Sequence, residues 1–185
     1  MTALTEEALR ELLDERGVLQ PGALRPPARS RCYAVFAQRP DACLDVAAIR
    51  TQADRFFQTK LGLTVDKDYG LLPPESDVAR VVIAGNDGAT SGTRTCFGRR
   101  VDQADVAAAE EAERRQMTSG LSLLAERCKT IWLITPESED DRVALTIAAI
   151  FASTMLGPIL TPGGAEIFGV RTARLKLEGR PSPYR

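Results

Sequence analysis

Apolar residues recur along this chain with two spacings, and the alternation between them predicts a mixed α/β domain. The first spacing is helical. Leu9, Leu12 and Leu13 share one side of residues 5–16, Thr5 is a good N-cap, Glu6 and Glu7 suit the first turn, and Gly17 suits the stop. Leu4 and Leu9 stand where a hydrophobic staple would hold the chain's approach to that helix. Residues 18–30 carry Pro21, Gly22, Pro26 and Pro27 and predict an extended connector.

The run Cys32–Gln38 then predicts a short buried strand. Val46, Ile49, Ala53, Phe56, Phe57 and Leu61 follow at helical spacing, with Gly62 as the stop and a loop through Tyr69-Gly70 and Pro73-Pro74 beyond it. A strand is expected at Val78–Ala84. Next comes a long polar loop, then a helix over 104–127 that Ser119-Gly120 can bend. Lys129–Thr135 predicts the clearest buried strand, and Pro136 ends it.

Val143–Leu160 is an uncharged stretch of eighteen residues, at the lower limit for a membrane span. Gly157-Pro158 shortens the helix, Thr146, Ser153 and Thr154 dilute it, and acids rather than bases precede it, so a core helix or a subunit contact is the expected reading. Glu166–Leu177 alternates like a half-buried edge strand, and 179–185 reads as a loose tail.

The order of elements predicts an α/β fold. We expect one domain over 1–185, of three layers or two, with a mostly parallel sheet and an antiparallel strand at its C-terminal edge. If so, ligands would collect at the carboxyl ends of the strands. That rule would gather Gln38-Arg39-Asp41, Gly85–Arg100 and Thr135–Asp141 on one rim, bringing Asp87, Asp140 and Glu137 toward Arg94, Arg99 and Arg100.

Composition narrows the chemistry. The chain has 185 residues, a net charge of −1 and no histidine. The charge argues against a nucleic-acid binder, and the missing histidines exclude a Ser-His-Asp triad, a Cys-His pair and a histidine-held metal. Cys32, Cys43, Cys96 and Cys128 lack C-x-x-C spacing, so no zinc ribbon, thioredoxin motif or iron–sulfur run is present. The acidic N-terminus does not read as a secretory signal, which makes cytoplasmic free thiols the expectation. Arginine outnumbers lysine 20 to 4, as a GC-rich bacterial gene would produce. No cofactor, metal or membrane partner is predicted.

The segment Ala84–Arg100 holds the densest polar chemistry. Asn86, Asp87, Thr90, Ser91, Thr93, Arg94, Cys96, Arg99 and Arg100, with Glu137 from across the sheet, form a candidate ligand-binding set. Glycine turns can aim backbone N–H groups at an anion, although the spacing fits neither a Walker A loop nor a dinucleotide fingerprint. Arg94 and Arg99 beside Cys96 would favour a thiolate. The plainer expectations are pairing of Arg99-Arg100 with Asp102 and Asp105, a small buried Cys128, and helix capping by the acids at 137–141. Two functions follow. One is association, as a homo-oligomer, adaptor or regulatory partner. The other is binding or conversion of a small polar, anionic or nucleotide-like ligand at residues 85–100.

Overall fold

The computed structural model describes residues 27–38, 44–66, 77–85, 91–138 and 140–179. The expected N-terminal helix and most of its connector, along with the tail beyond Gly179, lie outside the described residues. A seven-stranded sheet runs through the molecule in the order β2-β3-β4-β5-β1-β6-β7. Its strands are β1 (Tyr33–Ala37), β2 (Thr59–Asp66), β3 (Asp77–Gly85), β4 (Ser91–Arg100), β5 (Thr130–Ile134), β6 (Ile159–Leu160) and β7 (Ile167–Phe168). The helices are α1 (Val46–Phe57), α2 (Gln103–Gln116), α3 (Leu121–Arg127), α4 (Arg142–Met155) and α5 (Val170–Leu177).

Every pairing in this sheet is antiparallel, which overturns the expectation of a mostly parallel sheet. The physical reason is instructive. β1 and β5 are buried at every position, and continuous apolar strands suggest parallel sheets because those have both faces covered. Here both faces are covered as well, by helices, around strands that run antiparallel. α1, α4 and α5 pack on the face of Val35, Trp132 and Ile134. α2 and α3 pack on the opposite face, against Ala34, Phe36 and Leu133.

The second set of helices reaches only part of the sheet. In β2 and β3 the pattern alternates: Leu61, Leu63, Ala79, Val81 and Ile83 are buried, while Lys60, Thr64, Arg80 and Val82 are exposed. β2, β3 and the first half of β4 thus form a wing covered on one face.

Four further corrections concern elements. The strand β2 replaces the expected helix end and loop: Gln58, in the left-handed region at φ 50°, stops α1 before Leu61 can join it. β4 replaces most of the expected polar loop. Glu166–Leu177 is only briefly a strand at the sheet edge, in β7, before α5 begins. The predicted bend is a full break, with Met117 closing α2 at φ 53° and Gly120 opening α3 at φ 101°. α4 is the central core helix, buried at ten positions from Val143 to Met155. Among the described residues no helix is long and apolar enough to cross a membrane.

Candidate functional site

The arginines of β4 divide between the two faces of the sheet, because alternate residues of a strand point opposite ways. Arg94 turns toward α4. It is only 8% exposed, and its Nε donates to Asp141 Oδ2 at 2.7 Å while Nη1 meets Glu137 Oε1 at 3.0 Å. Nη1 also donates to the Thr93 carbonyl at 2.8 Å. Asp141 is the N-cap of α4 and accepts from the backbone N–H of Ala144 at 3.0 Å and of Glu137 at 2.8 Å. Burial pushes the Asp141 carboxyl upward, but the hydrogen bonds from Arg94, Glu137 and Ala144, with the Arg94 charge, outweigh it and hold the group below its ordinary value.

Arg99 turns toward α2. It makes a bidentate pair with Asp105, at 2.6 and 2.8 Å. Asp105 is itself buried and shares a capping box with Asp102 at the start of α2. Burial acts to lower the Arg99 pKa, yet the Asp105 hydrogen bond and the nearby acids leave it raised. The expected pairing of Arg99 with Asp105 is present, and so is capping by the acids after β5. Each arginine therefore fastens the acidic N-terminal end of a helix to β4, Arg94 through the N-cap Asp141 of α4 and Arg99 through Asp105 in the first turn of α2, one helix on each face.

The other predicted residues scatter. Ser91 and Thr93 are exposed on the wing, and Arg100 is exposed at the far end of β4. Asn86, Asp87 and Thr90 lie outside the described residues. Cys96 is fully buried, and burial, then the neighbouring Cys32, pushes its thiol far up, so the nearby guanidinium groups do not produce a thiolate there and it is an ordinary, though buried, cysteine. Cys32, Cys96 and Cys128 are all free, and burial lifts Cys128 to about 11. Of the three segments expected on one rim, two meet, since Arg94 reaches Glu137 and Asp141, while the antiparallel sheet sends the third, at Gln38, to the opposite end. Gln38 follows Ala37, whose partner is Thr130 at the start of β5, whereas Glu137 and Asp141 follow the end of β5. Arg39 and Asp41 lie outside the described residues.

Two features that the sequence reading missed remain. One is the outer edge of β2, which among the described residues pairs only with β3. The other is a cleft of about 650 Å³ at the rim where β1 begins and β5 and β6 end. Tyr33, Arg31, Glu137, Glu166, Lys176 and Phe168 line it. Tyr33 is the one hydroxyl in the apolar run Cys32–Ala37, a signal that a buried strand carries a polar group for a reason.

No protein-family model matches this chain, and no curated protein or solved structure matches it. Geometry alone must supply the function.

Proposed function

We propose that this protein works by association, as a homodimer joined along β2. The observation that carries this reading is the wing: eight residues of β2 end the sheet in a long strand with an unpaired outer edge among the described residues. Such an edge offers a row of backbone donors and acceptors to another strand. Of the large apolar side chains that stay exposed, Val82 on β3 belongs to this wing, and Phe56 ends α1 just before β2 begins. The expected subunit contact through α4 is not part of this reading, because that helix is enclosed by its own chain.

The sequence of β2 suits a second copy of itself. An antiparallel pairing centred on Leu63 sets Leu61 against Val65 and Gly62 against Thr64. That register keeps buried positions on one face and exposed ones on the other. It also sets Lys60 of one copy against position 66, an aspartate, of the other, twice by symmetry. Opposite charges across a strand pair favour the register, and like charges oppose it.

Sedimentation equilibrium tests this on the wild type, Lys60→Glu, and Lys60→Glu combined with Asp66→Lys. The wild type should dimerise, the single variant should weaken the dimer by about tenfold, and the double variant should restore it. A wild type that stays monomeric at high concentration, or a Lys60→Glu dimer of unchanged strength, rejects the proposal.

A further inference from the structure

The cleft beside Tyr33 combines groups that the fold itself does not use. Tyr33 is 7% exposed and lines the cleft. Its hydroxyl makes no hydrogen bond among the described residues, and it is open to the cleft rather than sealed in the core, so a ligand can reach it. Arg31 stands at the mouth, exposed and without an ion pair among the described residues.

Two carboxylates line the same cleft. Glu137 gives Oε1 to Arg94 and Glu166 gives Oε2 to Lys176, at 3.0 and 2.6 Å. Each carboxylate keeps its second oxygen unengaged among the described residues. The apolar part of the lining comes from Leu145 and Phe168, with the Lys176 ammonium 5.3 Å from the centre of the Phe168 ring.

We propose that this cleft binds a dipeptide-sized zwitterion with apolar side chains. Its carboxylate would sit between the Arg31 guanidinium and the Tyr33 hydroxyl, and its ammonium would take the second oxygens of Glu137 and Glu166. The side chains would lie on Leu145 and Phe168. A cleft of about 650 Å³ falls within the range of small-molecule sites and is large enough to admit such a ligand. Burial, followed by Asp141, Asp140 and Glu166, raises the Tyr33 pKa, so the phenol keeps its proton and serves as a donor at neutral pH. The site is independent of the β2 edge.

Titration calorimetry of the full chain with leucyl-leucine provides the test, with N-acetyl-leucyl-leucine and leucyl-leucine amide as arms that remove one charge each. Binding is expected for the free dipeptide, with a loss of about tenfold or more for either capped form. Arg31→Ala and Tyr33→Phe should each lose about tenfold. Both variants spare the fold, since Arg31 is exposed and phenylalanine keeps the buried ring; unchanged melting temperatures verify this. Failure of leucyl-leucine to bind at about 10 mM overturns the proposal. Equal affinity for the capped forms, or unchanged affinity in both variants, overturns it too.

Discussion

The two halves of the sheet are built from the same kind of pairing but stand in different surroundings. Around β1 and β5, helices cover both faces, and the strands YAVFA and TIWLI are buried throughout. In the wing, helices cover one face, and β3 alternates between buried Ala79, Val81, Ile83 and exposed Arg80, Val82. Strand direction is the same in both. What the apolar run reports is therefore how many faces are covered, and direction has to be learned from elsewhere. The comparison also locates tolerance: in the two-sided half a Cβ at Gly98 or Gly157 would overlap the Trp132 ring or the Phe36 backbone, whereas one face of the wing carries exposed side chains such as Val82.

The sharpest way to break that contrast is a matched pair of glycines. A Cβ at Gly157 would lie 1.8 Å from the Phe36 carbonyl oxygen, where the chain leaving α4 crosses β1. Backbone cannot yield there, so Gly157→Ala should cost more than about 4 kcal/mol or prevent folding. A Cβ at Gly62 in the wing meets only the Val82 side chain at 3.7 Å, an ordinary contact. Gly62→Ala should leave stability unchanged or raise it by about 0.5 kcal/mol. Urea unfolding of the two variants decides the matter, and equal losses would refute the contrast.

A smaller effect is expected at the strand that joins the halves. Arg94→Met leaves Asp141 buried without its cation and should cost about 3 kcal/mol at pH 7. The pH dependence follows from the sign of the Asp141 shift. The folded pKa is depressed, so the carboxylate stabilises the fold above its ordinary value of 3.8 and loses that contribution as pH falls toward the folded value. The gap between wild type and Arg94→Met should consequently narrow below that point. Denaturant titrations at pH 7 and pH 3 measure it, and a gap that widens in acid would contradict the assignment.

The smallest effect belongs to the open face. Val82 is 47% exposed, and Val82→Thr keeps its β-branched shape. Thermal melts of this variant should stay within about 0.5 kcal/mol of the wild type. A larger loss would mean that the face is covered in solution, and it would sharpen the case for association.

Much of the two-sided half is legible in the sequence. The strands β1 and β5 and the core helix α4 follow from apolar runs and from Gly157-Pro158, and Ser119-Gly120 marks where the helical chain turns, though as a bend rather than the full break after α2. The wing is harder to read because its strands mix two environments. In SGTRTCFGRR the exposed Thr93 and Thr95 alternate with buried Arg94 and Cys96, and a buried arginine disguises the strand period as loop chemistry. β2 is masked differently, since Leu61 happens to continue the helical spacing of α1 while Gln58 has already ended that helix. α5 shows the reverse error. Val170, Ala173 and Leu177 pack on the core at helical spacing, yet the alternating charges of VRTARLKL imitate a strand. Of the candidate site, the pairing of Arg99 with Asp105 is readable from its short separation. The partnership of Arg94 with Asp141 is not, because it depends on how β4 lies beside β5.

The position of β1 imposes an order on folding. It lies between β5 and β6, so Val35 pairs with Trp132 and Ile159, roughly a hundred residues later in the chain. The β2–β3–β4 meander, by contrast, joins strands that are neighbours in sequence. On a ribosome the meander has all its strands before the centre does, while β1 has no partner until β5 has emerged and lacks its second neighbour until residues past Leu160 have emerged. An apolar strand kept waiting that long is exposed to aggregation, and the chain's dependence on chaperones should fall in the interval between the synthesis of β1 and that of β6.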